Sequence, residues 1–578
     1  MDYYPRPQLE RNEWTCLDGL WSFAFDDAHR GLSEGWYLGH DFKQTIEVPF
    51  AYQCEASGIA DQNAHDWVWY EQSFHIGTPV KNDIIRLHIG ACDYETTVWV
   101  NGQHVGDHSG GHTPFFFDIE RMLDDSGDAR ITILARDHPF DTTLPRGKQS
   151  FTGRSEGIFY TNTTGLWQSV WVEKLNRSHI EEILFTPDIT SNTIRMELRL
   201  QSAQGGRIHT RIMRREELML EDEALVTDVD SFTATYTIAD FNDHHYGHWW
   251  TPESPNLYDV RIDLCMGNDV TDSIRSYFGM RSFSVEAGKL CLNHMPFYTK
   301  AVLYQGYYPD SLMTAKSDAE LENDVRLIKE MGFNSVRLHQ KFENPRLLYW
   351  CDKLGLAVWG EAPNAFSYSR QGSEQLIREW MDVLRRDYSH PCIGVWVPIN
   401  ESWGVPGMKN SAEQRWFSKA IHDLTKAFDP TRPVMSNDGW EHTDSDLCTV
   451  HDYEANPDVL LQRYANMDNV LPGPQGRLMY VDGYAYHGEP VLLSEFGGIA
   501  FNSNSYGGNA WGYSGADSAE AFAEQVTAVI RTVRTITLLQ GYCYTQFNDT
   551  EQEVNGLVTM GRSPKIGISQ IAAANGSL

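Results

Sequence analysis

Two glutamates close two apolar, strand-like runs: Trp396-Val397-Pro398-Ile399-Asn400-Glu401 and Val491-Leu492-Leu493-Ser494-Glu495. Two carboxyl groups brought face to face can cleave a glycosidic acetal by double displacement. One attacks the anomeric carbon while the other protonates the departing oxygen. Glu495 has to be anionic to attack, a state that a neighbouring guanidinium favours. Glu401 has to deliver a proton in the first step and withdraw one from water in the second. The negative charge of its neighbour favours the protonated form until that neighbour becomes a neutral glycosyl ester. These residues predict a retaining glycosidase.

Both glutamates need a scaffold that delivers strand ends to one place. After Phe283 short apolar strands alternate with amphipathic helices, the pattern of βα units around a parallel sheet. Ser317-Asp318-Ala319-Glu320 reads as a capping box, and Leu321, Val325 and Ile328 recur on one face before Gly332 ends the helix. Asn344-Pro345 opens another helix that closes near Gly355. Strands are expected near 299–303, 333–338, 356–361, 393–400, 433–437, 447–452, 490–495 and 540–546, with helices at 373–388, 411–428 and 518–533 between some of them. Eight such strands with interleaved helices predict a (β/α)8 (TIM) barrel over 284–578, whose chemistry belongs at the C-terminal strand ends. Glu361, Asn400, Glu401, His451, Asp452 and Glu495 all fall there.

The upstream half is different in kind. Residues 1–175 carry short alternating runs such as Glu95-Thr96-Thr97-Val98-Trp99-Val100, followed by Asn101-Gly102, the strongest short hairpin signal because a type I′ turn needs two positive φ angles. They predict a β-sandwich. Residues 176–283, with Thr193-Ile194-Arg195-Met196-Glu197-Leu198 and Leu257-Tyr258-Asp259-Val260-Arg261-Ile262, predict a smaller, immunoglobulin-like sandwich.

At 578 residues the chain exceeds what one hydrophobic core usually serves. Its formal charge of −32, without a basic run to offset it, argues against nucleic acid and anionic membranes as partners. The first residues lack the basic and apolar regions of a signal peptide and no long apolar run follows, so a soluble cytoplasmic protein is expected. Nine scattered cysteines, with no Cys-x-x-Cys pair, predict free thiols and neither a disulfide framework nor a zinc site. Aromatic residues make up 12% of the chain, enough to stack on pyranose faces, although β-rich proteins carry many rings anyway.

The chain resembles glycoside hydrolase family 2, the group of β-galactosidases, β-glucuronidases and β-mannosidases, along essentially its whole length. Leu17-Asp18-Gly19-Leu20-Trp21, Val98-Trp99-Val100-Asn101-Gly102 and Thr164-Gly165-Leu166-Trp167 are similar to that family's jelly-roll sugar-binding domain. Pro252-Glu253-Ser254-Pro255-Asn256-Leu257-Tyr258 and Phe278-Gly279-Met280-Arg281 are similar to its immunoglobulin-like domain. The resemblance implies Glu401 as general acid/base, Asn400 as the holder of the sugar 2-hydroxyl, Glu495 as nucleophile and Arg337 as its hydrogen-bonding arginine. It implies that Tyr453 donates to Glu495, that His339 and His451 line the sugar site, and that Tyr544, with Gln546 and Phe547, gives it an aromatic floor. Plain barrel-rim or core packing is the alternative for His339, Tyr453 and Tyr544, and a structural salt bridge closing the barrel end is the alternative for Arg337. Glu361 occupies the place of a magnesium ligand in some members, with a structural hydrogen-bonding role as the alternative. No cofactor is required, and a divalent or monovalent metal is optional. The rim loop 502–513 carries Trp511 and Tyr513, candidates for stacking on an aglycone. Self-association and an N-terminal sandwich that helps wall off the site are further implications.

The resemblance favours an exo-acting β-galactosidase. Family β-glucuronidases carry an Asn-x-Lys element near the last strand, whereas here Asn555-Gly556-Leu557 lacks the lysine, which with the acidic charge counts against a uronic acid. Arg337-Leu338-His339-Gln340-Lys341 departs from the usual galactosidase pattern, which leaves α-L-arabinofuranosides open alongside β-glucuronides, β-mannosides and β-xylosides. A carbohydrate-binding protein without turnover is the competing class, and the intact pair of glutamates argues against it.

Overall fold

A computed structural model describes residues 3–77, 82–124, 126–239, 247–501 and 510–576. Three large hydrophobic cores run in chain order.

The first is a sandwich of antiparallel sheets. One sheet has six strands in the order Gln44–Val48, Gly19–Phe25, Trp67–His75, Asp128–Arg136, Glu95–Val100, Gln103–Ser109. The other has four, in the order Trp14–Cys16, Val170–Asn176, Asp83–Ile89, Phe115–Asp118. The Asn101-Gly102 turn joins two paired strands with φ of 49° and 77°, the two positive values that the hairpin requires. Trp21, Phe23, Val68, Tyr70, Leu87, Val98, Ile131 and Val172 fill the space between the sheets. Burying each large apolar side chain contributes about 2–3 kcal/mol.

The second sandwich packs a three-stranded sheet (His179–Asp188, Thr193–Gln201, Ser231–Thr237) against a four-stranded one (Glu217–Leu225, Arg207–Arg214, Tyr258–Met266, Asp269–Phe278). In Thr193–Gln201 the residues Ile194, Met196, Leu198 and Leu200 are buried and their neighbours face outward, the period of two that the sequence carries.

The third core is a parallel barrel. Numbered by the eight expected positions, its strands are the first Thr299–Tyr304, second Ser335–Leu338, third Ala357–Glu361, fourth Ile393–Val397, sixth Cys448–His451, seventh Val491–Gly497 and eighth Leu539–Thr545, and the sheet runs fourth, third, second, first, eighth, seventh, sixth. The expected fifth strand at 433–437 does not form a regular strand. Its backbone still bridges the gap, with Met435 N donating to Trp396 O (3.0 Å) and Asp438 N to Ile399 O (2.8 Å). Pro433 has no N–H to give, and Ser436 N bonds Ser445 Oγ (3.1 Å) instead of a neighbouring strand, so polar side chains outcompete the ladder.

The helices follow their caps. Ser317 Oγ accepts from Glu320 N at the start of Asp318–Glu330, Asn344 caps Pro345–Leu354, and Gly355 ends that helix at φ 79°. Helices Arg370–Asp387, Ala412–Phe428 and Ala519–Thr535 match the expected spans to within a few residues. No helix among the described residues is long and apolar enough to cross a membrane. None of the nine cysteines, all of them among the described residues, forms a disulfide.

Candidate active site

Alternation along the barrel strands decides which side chains point inward. Arg337, on the second strand, is fully buried and becomes the hub of the barrel mouth. Its Nε donates to Glu361 Oε2 (2.6 Å), Nη1 to Glu495 Oε1 (2.9 Å) and Nη2 to Asn400 Oδ1 (2.7 Å), while Nη1 also lies 2.7 Å from Asp438 Oδ2. One guanidinium therefore ties together the ends of strands two, three, four and seven and of the bridging fifth segment. A planar fork of five donors does this where a lysine could not.

A second cation completes the cluster. His451 Nδ1 stands 2.7 Å from Glu401 Oε1, and Nε2 stands 3.0 Å from Asp438 Oδ2 and 3.5 Å from Glu495 Oε1. Burial works against charge on this imidazole, yet Glu495 and Asp438 push it up to about 10. Burial opposes ionisation of Asp438 too, and Arg337 with His451 nonetheless hold its carboxyl well below the usual range. Three buried carboxylates, Glu361, Asp438 and Glu495, thus share two buried cations.

The two glutamates reach this cluster by different backbone devices. Glu495 sits within a regular strand, and the Tyr453 hydroxyl donates to its Oε2. Burial and the charge of Glu495 keep that phenol protonated and hence a donor. Glu401 lies past the end of strand four in the left-handed region (φ 51°), as does Ser402 (φ 58°). Such geometry is costly for residues with a Cβ and is held here by Glu401 N donating to Asp438 O (2.9 Å) and Ser402 N to Asn437 Oδ1 (2.8 Å). The turn swings Glu401 over the barrel axis, where one of its carboxylate oxygens, one of Glu495 and a nitrogen of His451 lie within 4.8 Å of one another.

Glu361 is fully committed to protein donors. Beyond Arg337, its Oε1 accepts from Gln340 N (2.9 Å) and lies 3.0 Å from His339 Nδ1. A guanidinium on one oxygen and an amide on the other leave a cation no place there, so the donor set does not fit a magnesium site. His339 is buried beside it, and burial together with Arg337 pushes its imidazole well below its ordinary value, so it is neutral. Asn400 takes its backbone position from Asn364, whose Oδ1 accepts from Asn400 N (2.9 Å). With Oδ1 of Asn400 held by Arg337, its amide NH2 is left for a hydroxyl.

Tyr544 stands apart from this group. It points to the helix-facing side of the last strand, edge-on to Phe496 at 5.5 Å, while its neighbour Cys543 faces the barrel interior. The strand period of two places Tyr544 in the outer core and not in the floor of the site. Of the rim loop, 502–509 lie outside the described residues. Tyr513 stacks on Tyr453 at 5° between planes, and Trp511 meets Tyr513 edge-on at 4.7 Å.

Several mouth residues escape a reading of the sequence. Asp438 carries the signal of an acid just past an expected strand, Asn437-Asp438-Gly439. The others come from the N-terminal sandwich and carry no signal at all. Gly147 N donates to Asn364 O (3.1 Å), the Tyr160 hydroxyl donates to Glu553 Oε2 (2.5 Å), Phe159 stacks on Trp403 (5.4 Å), and Lys148 Nζ lies 5.3 Å over the Trp403 ring. One loop of the first domain therefore forms a wall of the barrel mouth.

A barrel with an arginine-centred pair of glutamates at its C-terminal end, preceded by two sandwiches, is the architecture of a multidomain glycoside hydrolase. The chain belongs to the glycosyl hydrolases family 2: the family's TIM barrel domain matches residues 283–574, its sugar binding domain 14–143, and a third family 2 domain 178–281. Among curated relatives, the β-glucuronidase of Rattus norvegicus is 26% identical over 548 residues, covering 86% of this chain and 79% of its own. That of Paenibacillus borealis is 26% identical over 533 residues, covering 86% and 85%. Among solved structures, the β-glucuronidase of Ruminococcus gnavus bound to a C6-substituted uronic isofagomine superposes with a TM-score of 0.80 at 19% identity, covering 99% of this chain and all of that one. These relatives are named as β-glucuronidases, and not as the β-galactosidases that the sequence reading favoured.

Proposed function

We propose that this glycoside hydrolase removes a terminal β-D-glucuronic acid residue with retention of configuration, Glu495 attacking the anomeric carbon and Glu401 serving as acid and then base. The observation that carries the mechanism is the spacing of the pair: carboxylate oxygens of Glu401 and Glu495 lie within 4.8 Å. Retaining enzymes hold their carboxyl groups about 5–5.5 Å apart, and inverting ones leave about 6.5–9.5 Å for a water. Arg337 and the Tyr453 hydroxyl both donate to Glu495 and hold the attacking carboxylate in place. Once Glu495 is esterified its charge is gone, and Glu401, with His451 bonded to it, can draw a proton from water. Asn400 presents its free amide to the 2-hydroxyl. The preference for a glucuronide over a galactoside rests on the names of the relatives.

A panel of nitrophenyl β-glucuronide, β-galactoside, β-glucoside, β-mannoside, β-xyloside and α-L-arabinofuranoside tests the sugar, with NMR of the first-formed anomer testing retention. Release from the glucuronide as the β-anomer, abolished in Glu495→Gln, is the expected result. Release of the α-anomer would overturn the mechanism. Hydrolysis of a different glycoside with no release from the glucuronide would overturn the substrate and leave the mechanism standing.

A further inference from the structure

We infer that Lys148, a residue of the N-terminal sandwich, binds the carboxylate of the substrate's sugar and is the specificity-determining cation of this site; the inference rests on the glucuronide reading above. A uronic acid entering a water-poor pocket needs a positive partner there, because an uncompensated buried carboxylate is strongly unfavourable. Among the described residues, the basic groups at and under the mouth are already engaged, with one exception. Arg337 is shared among Glu361, Asp438, Glu495 and Asn400. His451 is held between Glu401 and Asp438, and His339 is neutral. Lys341 donates to Gly306 O and Met313 O and pairs with Glu343, Lys565 bonds Asp549, and Arg562 bonds Asp324. Lys148 is only 7% exposed, and among the described residues its Nζ makes no hydrogen bond and no ion pair.

Its placement is built and not incidental. The preceding residue, Gly147, donates its N–H to Asn364 O, and Asn364 is the residue that seats Asn400 beside Glu401. On the other side Lys148 O accepts from Tyr160 N (2.9 Å), and Tyr160 is anchored by its hydroxyl to Glu553. The ammonium lies over Trp403, two residues beyond Glu401, so an indole face supports the cation without neutralising it. Lys148 favours the ionisation of Glu553, but the two oxygens of that carboxyl are taken by Tyr160 and by Asn555 Nδ2 (3.0 Å). The position two after Asn555, Leu557, is fully buried in the outer barrel core. The cation absent from that stretch of sequence is thus supplied across a domain boundary.

The test compares wild type, Lys148→Met and Lys148→Arg on nitrophenyl β-D-glucuronide and nitrophenyl β-D-glucoside, which differ only in the carboxylate at C6. Inhibition by glucarolactone and by gluconolactone is measured in parallel, as a binding readout on the same pair of groups. The expected result is a loss of roughly 10²-fold or more in kcat/KM on the glucuronide in Lys148→Met, with the glucoside within a few-fold of wild type. The preference of wild type for glucarolactone over gluconolactone falls by a similar factor, and Lys148→Arg recovers part of both. Equal losses on the two substrates, or none on either, would overturn the assignment while leaving the glucuronidase reading intact. A wild type that cleaves another glycoside and ignores the glucuronide would overturn that reading and this assignment with it. If Lys148→Met does not fold, a wild type that fails to bind glucarolactone more tightly than gluconolactone overturns the carboxylate role by itself.

Discussion

His451 Nδ1 stands 2.7 Å from Glu401 Oε1, so the proposed acid/base is bonded directly to an imidazole that Glu495 and Asp438 push up to about 10. Wild type is expected to lose kcat/KM as pH rises toward about 10 and this imidazolium discharges, a limb that His451→Asn should lack because asparagine carries no charge to lose. A lower maximum with limbs unmoved would show that His451 acts by packing alone.

The same imidazole makes a prediction about stability. Its folded-state value, about 10, lies above the ordinary ~6.5, so the stability it contributes is fully present below about 6.5 and is lost as pH rises through about 10. The gap in melting temperature between wild type and His451→Asn is therefore widest near neutral pH and below, and it narrows toward the alkaline end. A gap that is constant with pH would contradict the assignment of charge.

Arg337 is expected to be the most sensitive position in the barrel. Arg337→Met leaves three carboxylates buried with one imidazolium among them, at a cost of about 3–5 kcal/mol. Asp438 and Glu361, whose ionisation Arg337 favours in wild type, then prefer their protons in the folded state. The variant should regain stability relative to wild type as pH falls from about 7 to 5 in thermal melts. Arg337→Lys should rescue little, since one ammonium cannot reach the partners of a fork.

The roles of Glu401 and Glu495 separate by leaving group. Glu495→Gln is expected to lose about 10⁴-fold or more in kcat on any substrate. Glu401→Gln should retain much of its glycosylation rate with a dinitrophenyl leaving group, which departs without a proton, and lose it with an alkyl glycoside. Pre-steady-state release of dinitrophenol reads the difference.

Gly147 tests the wall contributed by the first domain. Its φ is 61°, and an added Cβ would stand 2.0 Å from Gln340 O, so Gly147→Ala meets both a strained backbone and a backbone clash. The loop is expected to lift from the barrel at a cost of about 1–3 kcal/mol, with a rise in KM larger than the fall in kcat. Unchanged kinetics would show that the wall does not shape the substrate site.

Much of this molecule was legible as a linear string. Periodicity of two in Thr193–Gln201, the Asn101-Gly102 turn, and the caps at Ser317 and Asn344 are all local signals, set by side chains within a few residues of the backbone they shape. The strand end at Glu361 followed from the same rules, whereas the fourth strand stops at Val397, short of Asn400, and the seventh runs on past Glu495 to Gly497. The fifth strand did not follow, because competition from Ser436 and Asn437 for backbone hydrogen bonds depends on partners such as Ser445 and Ser402.

The sequence by itself determined the three-part architecture and singled out the two glutamates proposed for the chemistry, since each of those is written in residue type and short spacing. Only the tertiary structure decided that Arg337 serves Glu361, Asp438, Glu495 and Asn400 at once, that Tyr544 faces the helices, and that Lys148 overhangs a site formed by residues far along the chain. Inward or outward placement is fixed by barrel closure and by how two domains dock. Both arise from contacts between distant segments, which no local pattern encodes.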